Sequence, residues 1–248
     1  MTGEAKPVYL ARTKSFTPRS RELRPTLARQ FGQHREDFVV DVPRDASYTG
    51  IDPGYRFNLE ELFGRTADLV VEVGSGRGEQ VLAAAAAHPE KDFLAFEVWL
   101  PGIARLVAGA AEAGLSNVRV VEADAALALK TAFAPGSVSE LWTFFPDPWR
   151  KSRHHKRRLI SPAFAETVVG VLKKGGTWRM ATDWEDYSES MLQVANSSPG
   201  LENPHQDSET GEGTFAPRFA GRVLTHFEQR AMEEGRPVRD LEVVAVGH

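Results

Sequence analysis

Short apolar runs and longer amphipathic stretches alternate along most of the chain. The run "DLVVEV" at residues 68–73 is continuous and β-branched, which is typical of a strand buried on both faces. Further runs of this kind are "DFLAFEV", "VRVVEA", "SVSELWTFF", "TWRMAT" and "RDLEVVAV". Between them, stretches such as 101–114 place Ile103, Leu106 and Val107 on one helical face. Repeated strand–helix units predict an α/β fold with a doubly wound, mostly parallel sheet.

Serine, proline and glycine mark the ends of the predicted helices. Gly114 fits the end of the helix at 101–114. Ser161 and Pro162 predict the start of a later helix, and Gly175-Gly176 are its expected end.

The N-terminal segment differs from the rest of the chain in charge. Between Met1 and Gln30, seven basic residues stand against two acidic ones, so this segment carries about +5 and the remainder about −9. A basic segment on an acidic body suggests a polyanionic partner, although a solvated tail would show the same charge. We predict a basic, partly flexible N-terminal arm at residues 1–45, with helical hints in "RPTLARQFGQHREDF", and one domain at residues 46–248.

Composition excludes several classes of protein. A chain of 248 residues can bury one substantial core. The absence of cysteine excludes disulfides and thiolate metal sites and fits a reducing compartment. No apolar run approaches membrane-spanning length, and "MTGEAKPVYLARTKSF" lacks the apolar core of a signal peptide. We therefore expect a cytoplasmic enzyme or binding protein with no membrane partner.

Ligands of doubly wound sheets bind beyond the carboxyl ends of the strands, so the residues after each strand carry the functional signal. The first strand ends in "VEVGSGRGEQ", where Gly74, Gly76 and Gly78 permit a tight turn and close backbone approach to a ligand. This is not a phosphate loop, because no Lys-Ser or Lys-Thr follows. Nor is it the G-x-G-x-x-G of nicotinamide-dependent dehydrogenases, because Glu79 occupies the last position.

Three acidic residues accompany three successive strands. Glu72, beside the glycine turn, would repel a pyrophosphate but suits a cationic amino-acid group. Glu97 ends the second strand, where an acid can accept both ribose hydroxyls, and Asp124 follows the third strand, well placed for an adenine amino group. Each alone could be a solvated strand end or a helix cap. Together they favour S-adenosylmethionine, which combines adenine, ribose and a cationic methionine without phosphate.

The fourth strand leads into "FFPDPWRKSRHHKRRL" at residues 144–159. Prolines on both sides of Asp147 stiffen the backbone and hold its carboxylate at the mouth of the site. Similar proline-rich tetrapeptides occur in amino-methylating enzymes, so the element indicates methyl transfer to a nucleobase without choosing the atom; a proline-rich strand cap is the alternative. The cations that follow form the basic strip, residues 150–158. We predict that its phosphate contacts are Arg150, Arg153, Lys156, Arg157 and Arg158, aided by Lys14 and Arg19 of the arm.

Four segments, "VEVGSGRGEQ", "FPDPWRKSRHHKRRL", "ATDWEDY" and "LTHFEQR", resemble in that order the bacterial tRNA (guanine-N7-)-methyltransferase family. The similarity begins near Arg12, in "RTKSF", and extends to the last strand. The glycine turn is generic, whereas the proline–tryptophan basic strip and the T-x-F-E segment are diagnostic. The resemblance implies a Rossmann-like class I methyltransferase that uses S-adenosylmethionine to methylate N7 of a tRNA guanine, conventionally position 46 of the variable loop.

The same resemblance assigns roles to individual residues. S-adenosylmethionine would contact Glu72, Glu97, Asp124 and Asp147, together with Gly74 and Gly76 of the glycine turn, and Asp147 would be the catalytic residue. The implied tRNA-binding residues are Lys151, Asp183, Thr225, His226, Phe227 and Glu228.

This chain departs from the family pattern at three positions. The family usually has proline and lysine where Arg150 and Ser152 stand, and lysine where His226 stands. The cations beside Lys151 are therefore rearranged, and one substrate contact titrates near neutral pH. These changes bear on substrate affinity more than on activity.

Other functions remain open from the residues alone. The chain could methylate an exocyclic amine of another RNA, or bind RNA without catalysis while keeping an adenosine pocket; a dehydrogenase is disfavoured by the glycine spacing and by Glu72. His154 and His155 are adjacent and lack a supporting carboxylate pattern, so we expect no metal site. Both a monomer and a homodimer are compatible with the sequence.

Overall fold

A seven-stranded sheet forms the centre of the protein. The computed structural model describes residues 14–16 and 20–247. The strands are β1 (Leu69–Val73), β2 (Asp92–Glu97), β3 (Val118–Glu122), β4 (Val138–Phe144), β5 (Leu172–Thr182), β6 (Leu201–Glu202) and β7 (Arg239–Ala245). Their order across the sheet is β3-β2-β1-β4-β5-β7-β6. Strands β1 to β5 pair in parallel, and β7 pairs antiparallel with both β5 and β6, which confirms the predicted doubly wound, mostly parallel sheet.

Helices cover both faces of this sheet. They are α1 (Pro25–Phe38), α2 (Leu59–Phe63), α3 (Glu79–Ala87), α4 (Leu100–Glu112), α5 (Ala125–Thr131), α6 (Pro162–Val171), α7 (Glu185–Ser197) and α8 (His226–Glu233). The apolar faces of α1, α3 and α4 share one buried cluster with the sheet, and those of α5, α6 and α7 share another. This two-sided burial explains why β1 is apolar at four of its five positions and buried along its whole length.

Residues 25–45 pack against the edge of the sheet. α1 lies against α4, and Phe38 at its end is buried. The Val40 N–H donates to the Val120 carbonyl oxygen at 2.9 Å, so the chain adds a short bridge beside β3. The division between an arm at 1–45 and a domain at 46–248 stays a prediction. Arg12, near which the family resemblance begins, and Arg19, a predicted phosphate contact, lie outside the described part of the chain.

Gly175 and Gly176 lie within β5 rather than at a helix end. α6 ends at Val171, and β5 begins at the next residue. Gly175 has φ +77°, and a β-carbon at Gly176 would lie 2.8 Å from the Lys173 carbonyl oxygen. The pairing of β4 with β5 shifts its register in this region. The predicted helix end at these glycines is therefore wrong, because they accommodate an irregularity in the strand.

Across residues 14–16 and 20–247, none of the helices has both the length and the apolar character that a membrane crossing requires.

Candidate functional site

The glycine turn joins β1 to α3 at the carboxyl end of the sheet. Gly74, Gly76 and Gly78 have φ values of +79°, +58° and +82°, a region that L side chains rarely adopt. Gly102 in α4 packs directly on this turn, since a β-carbon there would lie 2.0 Å from the Gly76 carbonyl oxygen. The turn and the start of α4 therefore meet backbone to backbone, which fixes the position of the turn.

Glu97 holds the glycine turn from the end of β2. Its Oε2 accepts a hydrogen bond from the Gly76 N–H at 2.7 Å. Its Oε1 accepts from the N–H groups of Val98 and Trp99 at 2.7 and 2.9 Å. The carboxylate is thus oriented by the backbone on both sides while it lines the cavity described below.

Glu72 lies buried beneath the same turn. Its side chain is 4% exposed, and its Oε2 has no hydrogen-bond partner within the described residues. Burial raises the pKa of Glu72 to about 8; the charges of Glu97 and Glu79 act in the same direction, and the Val81 N–H acts against it. Because an unpaired buried acceptor is costly, this site suits a ligand that brings a cationic N–H donor.

Asp124 caps α5 at the end of β3. Its Oδ1 accepts a hydrogen bond from the Ala126 N–H at 3.0 Å, and its own N–H donates to the Thr49 carbonyl oxygen at 2.8 Å. The side chain is buried and also lines the cavity. The helix-cap interpretation of Asp124 is therefore confirmed, and it is compatible with a ligand contact because the cap itself faces the cavity.

Asp147 lies between two residues with unusual backbone conformations. Phe145 and Trp149 have φ values of +51° and +46°, although neither is glycine. Such strained residues concentrate at functional sites. The Phe145 N–H donates to the Ala181 carbonyl oxygen at 2.8 Å, which ties the segment to β5. The half-buried Asp147 is held at the cavity wall by this short, stiff loop.

A cavity of about 460 Å³ lies where these elements meet. Every residue predicted to bind the cofactor lines it: Glu72, Gly74, Gly76, Glu97, Asp124 and Asp147. Their convergence follows from the parallel sheet, because the ends of β1, β2, β3 and β4 meet at one edge.

Sequence reasoning missed several residues of the cavity wall. Ser75 lies in the glycine turn, and its buried Oγ has no hydrogen-bond partner within the described residues. Ser15 and Phe16 reach the cavity from the N-terminal segment. The indole N–H of Trp149 donates to the Ser15 carbonyl oxygen at 3.0 Å. No pattern along the chain predicted this contact, because 134 residues separate its partners.

The basic strip leaves the cavity as a 3₁₀ helix at Ser152–Arg157. Four of its cations are exposed: Arg150, Lys151, Arg153 and Lys156. Aromatic faces orient two of its guanidinium groups. Cζ of Arg150 lies 4.5 Å from the ring centroid of Trp184, and Cζ of Arg157 lies 4.7 Å from that of Trp149. These cations present their N–H donors at the protein surface.

Arg158 differs from the other cations of the strip. Its side chain is 6% exposed, and its Nη2 lies 2.6 Å from Asp186 Oδ2. Its Nε donates to the Pro148 carbonyl oxygen at 3.0 Å, and its Cζ lies 4.6 Å from the ring centroid of Tyr187. The geometry gives Arg158 a structural role beside Asp147, so the phosphate contact predicted for it stays a prediction without support from its position.

The T-x-F-E segment forms the start of α8 and the far side of the cavity. Thr225 caps the helix, with its Oγ1 accepting from the Glu228 N–H at 3.4 Å. Thr225, His226 and Phe227 line the cavity. The Phe227 ring is 43% exposed and lies beside the glycine turn, where a β-carbon on Gly76 would be 3.7 Å from its Cε2. An exposed aromatic face thus borders the cavity mouth.

Two predicted substrate contacts lie away from the cavity and are engaged in ion pairs. Glu228 is 4% exposed and forms ion pairs with both Arg218 and Arg222, at 2.9 and 2.8 Å. Asp183 pairs with Arg236 at 2.7 Å. Neither carboxylate lines the cavity, and their substrate roles remain predictions.

The adjacent histidines His154 and His155 lie within the basic strip. His155 Nε2 lies 3.5 Å from Asp186 Oδ2, and Arg158 Nη2 lies 3.2 Å from the same nitrogen. Across the described residues, no group of three or more His, Asp or Glu side chains could hold a metal ion.

Comparisons with solved structures show the fold. A 16S rRNA methyltransferase, KamB, superposes with a TM-score of 0.55 at 18% identity, covering 75% of this chain and 92% of that one. The antibiotic-resistance methyltransferase Kmr superposes with a TM-score of 0.54 at 16% identity, covering 84% of this chain and 99% of its own. The fold is therefore that of Rossmann-like methyltransferases.

Sequence comparisons show the family. Residues 66–241 match a family model described as a putative methyltransferase. The tRNA (guanine-N(7)-)-methyltransferase of Cutibacterium acnes is 44% identical over 92% of this chain and 81% of its own length. The protein of that name from Paenarthrobacter aurescens is 41% identical over 94% of this chain and 91% of its own length. The one from Shewanella putrefaciens is 47% identical over 74% of this chain and 75% of its own length. The chain is a methyltransferase and belongs to the tRNA (guanine-N(7)-)-methyltransferase family.

Proposed function

We propose that the protein transfers a methyl group from S-adenosylmethionine to N7 of a guanine in tRNA. The observation that carries the proposal is the convergence of Glu72, Glu97, Asp124 and Asp147 on one cavity, with the basic strip starting next to it. Buried acids suit an adenosyl group with a cationic methionine, and exposed cations suit phosphates. The names of the relatives point to the same reaction.

The cavity residues fit the proposed cofactor. Glu72 offers a buried oxygen without a partner to the ammonium of the methionine. Glu97 would accept hydrogen bonds from the ribose hydroxyls, and Asp124 would accept one from the adenine amino group. Gly74 and Gly76 allow the backbone to approach the ligand closely. Each acid is fixed by strand ends or backbone N–H groups, so little reorganisation is needed on binding.

The reaction requires positioning and a suitable electrostatic field rather than a strong base, because guanine N7 carries a lone pair and no proton. When bound, S-adenosylmethionine would supply the methyl group: a bond from its carbon to the N7 lone pair would form as the carbon–sulfur bond breaks, with the electron pair left on sulfur. Asp147 stabilises the positive charge that develops on the purine. It also accepts hydrogen bonds from guanine N–H groups on the edge of the base opposite N7. We favour Asp147 for this role because it lines the cavity, whereas Asp183 and Glu228 do not.

Exposed cations would position the tRNA. We assign phosphate contacts to the exposed Arg150, Arg153 and Lys156 and to the half-buried Arg157, and a tRNA contact to the exposed Lys151. A base in folded tRNA must turn outward, which costs roughly a few kcal/mol. Stacking on the exposed Phe227 ring would offset part of that cost.

Finer features belong to the same proposal. The target is guanosine 46 of the variable loop, and the arm at 1–45 adds cations to the domain at 46–248. We place the reaction in the cytoplasm, where tRNA is found.

The test is incubation of the protein with labelled S-adenosylmethionine and unmodified tRNA transcript. Borohydride–aniline scission is selective for N7-methylguanosine and should cut the labelled product at one site. Label in a product that resists scission would favour an exocyclic-amine methyltransferase. Absence of label would favour an RNA-binding protein without catalysis.

A further inference from the structure

The first turn of α3 contacts the segment that leads into α8. Glu79 Oε2 accepts a hydrogen bond from the His226 N–H at 3.0 Å. The Gln80 side chain donates from Nε2 to the Gly221 carbonyl oxygen at 2.9 Å and accepts at Oε1 from the Val223 N–H at 2.8 Å. Both ends of one amide side chain therefore bind the backbone of a segment more than 140 residues away.

The same helical turn also reaches the cofactor side of the cavity. The Val81 N–H lies close enough to the Glu72 carboxyl group to lower its pKa, against the effect of burial. Three consecutive residues of α3 thus join the acid beneath the glycine turn to the residues that begin α8. The cofactor residues and the T-x-F-E segment are connected through one turn of helix.

The burial of Gln80 indicates a specific role for its amide. The residue is 2% exposed, at a position where an apolar side chain would be expected. An apolar side chain of similar shape would fill the space but leave the Gly221 carbonyl and the Val223 N–H without this partner. The amide therefore fixes the relative position of two chain segments as well as filling space.

On its other side, the same segment is anchored to β7. Arg222 has a fully buried side chain that lies 2.7 Å from Asp240 Oδ2 and 2.8 Å from Glu228 Oε2. Asp240 Oδ1 also accepts from the Phe219 N–H at 3.2 Å. These contacts hold the segment against the sheet, whereas Gln80 holds it against the glycine turn.

We propose that Gln80 is a positioning residue that sets the placement of Thr225, His226 and Phe227 relative to the methyl-donor cavity. The proposal rests on the proposed function, since these three residues are its tRNA contacts. Gln80 is buried and does not itself touch the tRNA. It acts by holding the chain at Gly221 and Val223, just before those contacts.

The first experiment replaces the polar amide of Gln80 by an apolar side chain of similar length. Gln80→Met should lower kcat/KM for tRNA about ten-fold, mainly through KM, because both hydrogen bonds are lost. Gln80 also lines the cavity, but both hydrogen bonds of its amide go to Gly221 and Val223, so the Kd of S-adenosylhomocysteine, measured by calorimetry, should change less than the KM for tRNA. Gln229→Met is the matched control: this exposed glutamine of α8 bonds only Glu233 within its own helix, and its replacement should change neither quantity.

A second variant separates positioning from space filling. Gln80→Glu keeps the size of the side chain, but only its protonated form can donate to the Gly221 carbonyl oxygen. Burial raises the pKa of such a carboxyl group, so acidic pH should restore the variant. Its KM for tRNA, relative to that of the unmodified protein, should improve several-fold from pH 8 to pH 6. A ratio independent of pH would overturn the proposal.

Hydrogen exchange keeps the test independent of catalysis. Gln80→Met should accelerate exchange at the Val223 and His226 amides while the β1 and β4 amides keep their rates. Unchanged exchange at 219–228, together with an unchanged KM for tRNA, would refute the role of Gln80. If the unmodified protein methylates no tRNA while exchange responds as expected, the proposed function fails and the structural link stands.

Discussion

The acid-lined cavity and the basic strip hold their charges in opposite ways. Glu97 accepts three backbone hydrogen bonds, and Glu72 is buried with one oxygen unpaired. In the strip, Arg150 and Arg157 lie over aromatic rings and reach the protein surface. The cavity thus keeps its acidic groups in fixed positions and away from water, whereas the strip keeps its cations near water.

This difference separates two kinds of electrostatic contribution. Fixed charge in a partly desolvated site acts strongly over short distances and stabilises a particular transition state. Exposed charge is screened by salt and acts on any phosphate within reach. Substitutions in the cavity should therefore change turnover or cofactor binding, and substitutions in the strip should change tRNA affinity and its salt dependence.

The largest effect is expected at Asp147, where the two regions meet. Asp147→Ala should lower kcat about 10²–10³-fold, because it removes the charge that stabilises the methylated purine. The Kd for tRNA should change less than about three-fold, since phosphate contacts dominate binding. Single-turnover methylation and filter binding measure the two quantities. Asp37→Ala, an exposed acid on α1, is the control, and equal losses in rate and affinity would contradict a role in the transition state.

Arg158 tests the boundary between the regions, because it belongs to the strip in sequence and to the interior in structure. Arg158→Ala should lower the free energy of unfolding by about 2 kcal/mol, since it removes hydrogen bonds to Pro148 and Asp186. The exposed Arg153→Ala should stay within about 0.5 kcal/mol of the unmodified protein in urea titrations. If Arg158→Ala leaves the free energy of unfolding unchanged but reduces the salt dependence of tRNA binding, Arg158 contacts phosphate after all.

A smaller effect is expected for two cations of the strip, the exposed Arg153 and the half-buried Arg157. Arg153→Ala combined with Arg157→Ala should weaken tRNA binding about ten-fold and reduce the slope of log K against log salt by about 2. The matched control is Lys130→Ala combined with Lys174→Ala, two exposed cations at the end of α5 and near the start of β5. An unchanged salt slope in the strip variant would refute the phosphate assignment.

Short-range patterns predicted the sheet and the residues at its carboxyl edge. Apolar runs located the long strands, and parallel topology then required Glu72, Glu97 and Asp124 to meet. Such residues are predictable because their positions follow from the strand that precedes them. Gly175 and Gly176 show the limit, since a glycine pair ends a helix or forms a bulge with the same local signal.

The ion-pair partners of individual charged residues were not predictable. Arg158 looks like its neighbours in sequence, yet Asp186 and Tyr187 of α7 bury it. Glu228 looks like a substrate contact, yet Arg218 and Arg222 engage it. In both cases the charge follows from the sequence, but the partner that engages it lies outside the strip or the helix, and the predicted contacts with tRNA stay predictions.

The smallest expected effect, and the sharpest comparison between a buried and an exposed acid, concerns the proton on Glu72. Burial raises the pKa of Glu72 to about 8, so the free protein carries this proton at pH 7. The contribution of the Glu72 carboxyl group to folding stability is fully present below the ordinary carboxyl pKa and is lost as pH rises through about 8. Glu72→Gln should therefore gain stability relative to the unmodified protein between pH 7 and pH 9, as measured by thermal unfolding.

The same proton should govern cofactor affinity. A ligand ammonium pairs with ionised Glu72, so the affinity for S-adenosylhomocysteine should rise about five-fold from pH 7 to pH 8 as the proton leaves. Calorimetry at pH 7 in buffers of different ionisation enthalpy should show close to one proton released per ligand. Glu72→Gln should remove the release, whereas Glu112→Gln on the surface of α4 should keep it. Binding without proton release in the unmodified protein would mean that Glu72 is already ionised, and the buried acid would then resemble the exposed charges of the strip.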